Sequence, residues 1–230
     1  MIEVDGLSAW YGEAQALRGV SFRIGEGELI TLVGRNGAGK TTALRCLMGL
    51  HDRMTGTVRL GGRDISGWTP ERRAQAGIGY VPDDRGIYAT LTVEENLLLP
   101  PQVAKTAWPL ERVYRTFPVL KERRRAHGSK LSGGEQQILS IARVLRMGAR
   151  VLLFDEPTEG LAPVLVQQVR QMLTDAKGEG YTMLLVEQNL RFATAVADRH
   201  YLIAQGETVE SLGNEEVKTR EQELLRHLGV

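Results

Sequence analysis

The sequence has 230 residues, enough for one sizeable core or for a core plus a small subdomain. Its 29 Lys and Arg stand against 28 Asp and Glu, a formal net charge of +1, which excludes a global basic field of the kind that marks a nucleic-acid binder. The single cysteine, Cys46, excludes an internal disulfide and fits a reducing compartment, and no apolar run reaches the length of a bilayer span.

In chain order, residues 2–4 and 20–24 alternate apolar and polar and read as strands of a small antiparallel sheet, with Tyr11-Gly12 in the loop between them. The N-terminal Met1-Ile2-Glu3-Val4-Asp5 is acidic and carries no signal peptide. After the turn Gly25-Glu26-Gly27-Glu28 comes the apolar run Leu29-Ile30-Thr31-Leu32-Val33, then a glycine-rich stretch, then a helical run from Thr42 to Met48 with Gly49 placed as its C-cap. Cys46 falls on the apolar face of that helix and is expected to be buried and structural. Thr57-Val58-Arg59-Leu60 reads as a strand entering the turn Gly61-Gly62. Pro70 opens a polar helix near 70–76, and Ile78-Gly79-Tyr80-Val81-Pro82 is a buried strand.

From Asp83 to about residue 146 the strand runs give way to charged, helical periodicity. Thr92-Val93-Glu94-Glu95 has capping-box form, and Pro100, Pro101 and Pro109 break the region into short helices. The leucine cluster Leu97-Leu98-Leu99 ends at these prolines. Glu122-Arg123-Arg124-Arg125 reads as a solvated helix face. A helix over about 135–147 leads to the continuous apolar run Val151-Leu152-Leu153-Phe154, as in a strand buried on both faces. A helix over 163–178, a strand over 182–186, a helix near 189–197, strands near 200–204 and 207–210 and a charged helix over about 214–228 complete the chain. Strands alternating with helices predict a mostly parallel sheet covered on both sides.

Three stretches carry chemistry. Gly34-Arg35-Asn36-Gly37-Ala38-Gly39-Lys40-Thr41-Thr42 matches the phosphate-binding pattern G-x-x-x-x-G-K-[ST], in the strand–loop–helix setting the pattern requires. Its glycines let backbone N–H groups close on an anion, the following helix adds its positive end, Lys40 reaches terminal phosphates, and the Thr41 hydroxyl can ligate Mg²⁺. Asp155-Glu156 follows a buried strand, where open α/β sheets place ligands. Asp155 is the candidate to hold Mg²⁺ and Glu156 the candidate general base for a water attacking a γ-phosphate; the plainer alternative is two acids capping a turn. Leu131-Ser132-Gly133-Gly134-Glu135-Gln136-Gln137 is a second glycine turn opening a helix, able to meet an anion, or simply a helix capped by Ser132.

In this order and spacing, residues 34–42, 131–137 and 151–156 resemble the ATP-binding subunit of an ATP-binding cassette (ABC) transporter, and the resemblance covers essentially the whole chain. Val93-Glu94-Glu95-Asn96-Leu97, the stretch from Asp155 to Pro163 and Val186-Glu187-Gln188-Asn189 are similar to the subgroup serving branched-chain amino acids and urea or short amides. The resemblance implies an α/β fold: a P-loop NTPase core with a mostly parallel sheet (1–82 and 147–230), a small N-terminal antiparallel β subdomain, and an inserted helical subdomain (83–146) that docks on the membrane-spanning partners.

It also implies an ATPase in which two subunits close head to tail around two ATP molecules, the phosphate loop of one facing Ser132, Gly133 and Gly134 of the other. Tyr11 matches the position that stacks on adenine. Three positions depart from the wider family. Asp83 stands where a glutamine usually touches Mg²⁺ and the membrane partner, Gln188 where a histidine usually contacts the γ-phosphate, and Ala162 where an aspartate usually links the two sites. The branched-chain subgroup also lacks the histidine and the aspartate.

The resemblance implies these partners: membrane permeases, a sister ATPase or a second copy of this chain, a solute-binding protein indirectly, and no nucleic acid. The place implied is the cytoplasm, at the inner face of the plasma membrane. Alternatives are a soluble cassette acting on DNA or ribosomes, for which no second cassette, long coiled-coil insertion or basic segment speaks, and a regulatory nucleotide-binding module with little turnover.

Overall fold

The computed structural model describes residues 2–220 and 222–224. The chain opens with two long antiparallel strands, β1 (Ile2–Tyr11) and β2 (Ala14–Ile24), joined at Gly12-Glu13. The short strands read at 2–4 and 20–24 are therefore the far ends of a longer ribbon. Tyr11 is the last residue of a strand, not part of a loop. Register shifts along β1 break the two-residue period between Val4 and Trp10, which hides the strand from an alternation test.

β3 (Leu29–Val33) leads through the glycine-rich loop into α1 (Lys40–Met48). The chain continues through β4 (Met54–Leu60), β5 (Arg63–Asp64), α2 (Pro70–Gln75) and β6 (Ile78–Val81). Then come α3 (Val93–Leu98), α4 (Leu110–Thr116), α5 (Pro118–Glu122), one 3₁₀ turn at Gly128–Lys130 and α6 (Gly133–Met147). The capping box at Thr92 is formed as the sequence predicts, and Ser132 with Glu135 makes a second one at α6. Finally come β7 (Val151–Asp155), α7 (Pro163–Gly178), β8 (Thr182–Glu187), α8 (Leu190–Val196), β9 (Arg199–Ala204), β10 (Glu207–Gly213) and α9 (Asn214–Thr219). The expected helix over 214–228 is shorter: α9 ends at Thr219 with Arg220 as its C-cap, residues 222–224 are helical, and residues 221 and 225–228 lie outside the described residues.

Two sheets result. One is antiparallel with order β2-β1-β4-β5; the other has order β10-β9-β3-β8-β7-β6 and is parallel except for the β9–β10 hairpin. β3, β7 and β8 are buried at every position. Their side chains alternate between two cores, as the pleat requires. Val151, Leu153, Leu184 and Val186 join Ile30 and Leu32 against α1 and the antiparallel sheet, whereas Leu152, Phe154, Met183 and Leu185 face α6 and α7. The same second core takes in Val93, Leu97, Trp108, Val113 and Phe117 from the helices between β6 and β7. Gly79 makes room for α6: a Cβ there would stand 2.3 Å from Val144 Cγ1. The carboxyl ends of β3, β7 and β8 reach the same rim of the sheet, where their loops meet.

Candidate active site

The phosphate-loop residues leave β3 and turn into α1 in a conformation only glycine supports. Gly39 has φ 104°, and a Cβ on it would lie 2.6 Å from Leu17 Cδ2 and 2.9 Å from the Ala16 carbonyl oxygen. The loop is thereby pressed against β2. Gly37, at φ 78°, has nothing within 4 Å of where its Cβ would be, so this turn of backbone faces an open cleft. The cleft measures about 300 Å³ and is lined by Tyr11, Asn36, Gly37, Lys40, Thr41, Thr42 and Glu156, among others. Gly34, Arg35 and Ala38 face a separate hollow beside β9 and β10.

Lys40 begins α1, its side chain 4% exposed. Its ammonium donates to the carbonyl oxygens of Gly34 at 2.7 Å and Arg35 at 3.1 Å, and stands 3.7 Å from Glu156 Oε1. Burial lowers its pKa, and the Glu156 carboxylate opposes that shift. Next to it, the Thr41 hydroxyl donates to Asp155 Oδ1 at 3.0 Å, and the Tyr80 hydroxyl donates to Oδ2 at 3.2 Å. Asp155 is fully buried, and burial pushes its carboxyl up to about 6 despite those two hydrogen bonds. A buried carboxylate paired with a hydroxyl is a hard oxygen donor set. No group of three or more His, Cys, Asp or Glu that could hold a metal occurs among the described residues. A metal at this point would complete its shell with ligand phosphate and water, which is how Mg²⁺ is usually bound. The residues present therefore fit Mg²⁺ with a nucleotide.

Glu156 leaves β7 with φ 46°, a left-handed conformation that costs a non-glycine residue about 1–3 kcal/mol and is found where a site imposes it. Its Oε2 accepts from Gln188 Nε2 at 2.7 Å. The two residues read as catalytic are thus in direct contact, although they sit on different loops. One layer deeper, the Thr158 hydroxyl donates to Glu187 Oε1 at 2.6 Å, while Glu187 Oε2 accepts from the Asn189 backbone N–H at 3.3 Å. Burial raises the Glu187 pKa. Glu159, on the exposed side of the same turn, is raised by its contact with the Glu156 carboxylate.

Tyr11 stands at the cleft mouth, half exposed, its ring set edge-on to His51 with centroids 4.7 Å apart at 76°. Asp83 is exposed, and its Oδ1 accepts from the Asp84 N–H at 2.9 Å; it makes no hydrogen bond to Thr41 or Asp155. Ser132, Gly133 and Gly134 do not line the cleft. Ser132 caps α6, and the Arg85 guanidinium lies against Gly133, 3.0 Å from where a Cβ would be. Ala162 caps α7 without a side-chain bond.

Sequence reasoning missed Tyr80, Thr158 and Glu187. Glu187 had a legible signal: a lone acid closing an apolar strand directly before Gln188.

The sequence profile of the ABC transporter family matches residues 17–159. The high-affinity branched-chain amino acid transport ATP-binding protein BraG of Pseudomonas aeruginosa is 39% identical, over 91% of this chain and 91% of that one. The lipopolysaccharide export system ATP-binding protein LptB of Haemophilus influenzae is 32% identical, over 100% of this chain and 97% of that one. Among solved structures, a dimeric bacterial ABC transporter cassette is 26% identical, with a TM-score of 0.79 over 93% of this chain and 99% of that one.

Proposed function

The chain belongs to the ABC transporter family, and from that premise we propose that it is the ATP-hydrolysing subunit of a membrane importer for branched-chain or other small amino acids. That it is a cassette ATPase follows from the family. The observation that carries the site assignment is the convergence of Lys40, Thr41, Asp155, Glu156 and Gln188 on one rim of the sheet.

In this reading Tyr11 stacks on the base, Gly34 to Thr42 cradle the phosphates, and Lys40 exchanges its loop carbonyls for phosphate oxygens. Thr41 and Asp155, with Asp83 nearby, would hold Mg²⁺, which would screen phosphate charge. Glu156 takes the proton of the attacking water, and Gln188 keeps that carboxylate aimed. Ser132, Gly133 and Gly134 complete the site of a second cassette, as a sister subunit or a second copy.

We assign residues 83–146 as a helical subdomain between two parts of one nucleotide-binding core. Along the free edge of β6 runs a groove of about 390 Å³ lined by Tyr80, Pro82, Tyr88, Leu99, Pro100 and Met147, among others. Tyr88 and Leu99 are exposed there, and the groove suits an apolar segment of a membrane permease. No helix among the described residues is long and apolar enough to cross a membrane. The assignment of the permease to partner chains is supported by the likeness to BraG, a transport ATP-binding protein of similar length. The place of action is the cytoplasmic face of the membrane.

The solute reading is supported by BraG; LptB serves an export system, so relatives of similar likeness serve different cargoes. Purification of the tagged chain from its native membranes tests the assignment. Two permeases and a second ATPase are expected, with leucine uptake lost on deletion. Recovery of ribosomes or soluble partners alone sinks it. Glu156→Gln in the assembled complex should abolish phosphate release while retaining ATP in a closed dimer; unchanged hydrolysis would remove Glu156 as base.

A further inference from the structure

His51 ties the end of β1 to the helix that begins with Lys40. It follows Gly49, the C-cap of α1, by two residues. Its imidazole is buried and meets the half-exposed Tyr11 ring nearly at right angles, with centroids 4.7 Å apart. A second contact orients that imidazole: Nε2 lies 3.1 Å from the carbonyl oxygen of Trp10, the residue before Tyr11. A carbonyl can only accept, so Nε2 carries the hydrogen. The chain on either side is fixed as well. The Trp10 N–H donates to the Arg53 carbonyl at 3.0 Å, and Arg53 Nη1 donates to the Gly12 carbonyl at 2.6 Å. Residues 51–53 thus grip Trp10, Tyr11 and Gly12. A perpendicular pair leaves at least one face of the phenol ring uncovered by the imidazole, and Tyr11 lines the same cleft as Lys40 and Thr41.

We propose that His51 is a positioning residue that presets the Tyr11 ring for the nucleotide base. The proposal rests on the reading of Tyr11 as the surface on which the base stacks. A half-exposed tyrosine at a strand end turns about its side-chain bonds, and stacking has to stop that rotation. The imidazole, itself held to Trp10, removes part of this freedom before nucleotide arrives, so less ordering remains to oppose binding. The phosphates are met by other residues. His51 therefore acts on the share of affinity that the base supplies and leaves the phosphate share alone.

The test measures the dissociation constants of ADP and of inorganic pyrophosphate, both with Mg²⁺, on the full chain. Their ratio reads the contribution of the nucleoside and involves no γ-phosphate chemistry. His51→Gln keeps an amide donor for the Trp10 carbonyl and removes the ring; His51→Phe keeps a ring and removes the donor. In His51→Gln the preference for ADP over pyrophosphate should fall about three- to tenfold, the scale of one aromatic pair, with pyrophosphate binding unchanged. His51→Phe should keep most of the preference. In a Tyr11→Ala background, His51→Gln should cause no further fall. A wild-type preference in His51→Gln overturns the proposal, whether both ligands bind as before or both weaken equally. An equal fall in the Gln and Phe variants overturns it too, as does a further fall in the Tyr11→Ala background. A Tyr11→Ala protein that keeps the wild-type preference is a different result: it overturns the reading of Tyr11 first, and this inference with it.

Discussion

Gln188 Nε2 donates to Glu156 Oε2 at 2.7 Å, joining the loop after β8 to the loop after β7. A glutamine amide has no proton to lose near neutrality, so what it contributes is orientation and one fixed dipole. Its partner carboxylate is also within 3.7 Å of the Lys40 ammonium. Gln188→Leu should lower turnover about 10- to 100-fold, the range of a hydrogen bond to a charged group, while changing the KM for ATP less than threefold. Gln188→His should alter turnover more than ATP affinity. Steady-state phosphate release by the assembled complex reads both, and an unchanged turnover would remove Gln188 from the reacting shell.

The bond between Thr158 and Glu187 ties the same two loops one layer further in. Both side chains are buried. Thr158→Val leaves a buried carboxylate short of a donor and should cost about 2 kcal/mol of stability. Thr158→Ser should restore most of it. Urea unfolding of the three proteins decides; equal midpoints for Val and Ser would show that the hydroxyl carries no weight.

Arg73 is 1% exposed, and its hydrogen bonds run to the carbonyl oxygens of Cys46, Leu47, Ser66 and Trp68. It closes the negative end of α1, the helix that starts with Lys40. Arg73→Met should destabilise by about 3 kcal/mol, because the carbonyls stay buried without donors. Arg73→Lys should recover only part, since a point ammonium cannot bridge four acceptors in the plane of a fork. Thermal melts with and without ATP measure the loss and show whether nucleotide offsets it.

His200 is fully buried between the Thr31 hydroxyl, 2.6 Å from Nδ1, and Asn214 Oδ1, 3.1 Å from Nε2. Burial lowers its pKa below the ordinary 6.5, so the folded chain holds it neutral. The unfolded chain takes up a proton first, and stability is lost as pH falls below about 6.5. The loss reaches at most about 1.4 kcal/mol at pH 5.5. Asp155 has the opposite sign: its raised pKa, about 6, means stability is regained as pH falls through 6. His200→Gln leaves that carboxylate untouched. The wild type minus His200→Gln difference in unfolding free energy, from pH 7.5 to 5.5, therefore isolates the imidazole, and a flat difference would contradict the buried neutral state.

Much of the fold was legible because burial writes itself into composition. The apolar runs at 29–33 and 151–154 read as strands, the second as one covered on both faces, and Pro163 with Gly178 brackets α7 at both ends. β1 was legible only at residues 2–4, since its bulges put the side chains beyond Val4 out of phase, and β5 is too short to have a period. At the site, the Lys40–Thr41 and Asp155–Glu156 pairs are local patterns and were readable. Tyr80 was not, because within an apolar strand it passes for core, and its bond is to a residue on another strand. The left-handed turn at Glu156 is equally silent: glutamate carries no mark of a positive φ.

The place of β3 in the sheet has a consequence for how the protein is made. The strand that carries the phosphate loop leaves the ribosome well before its two neighbours in the sheet, β8 and β9, with Leu29 opposite Met183 and Ile30 opposite Arg199. During synthesis the loop and its lysine are thus present, with β2 against them, long before the strands on either side of β3 can pair with it. A nascent chain stalled before β8 should have no grip on ATP, and nucleotide can act as a folding aid only once β8 and β9 have emerged.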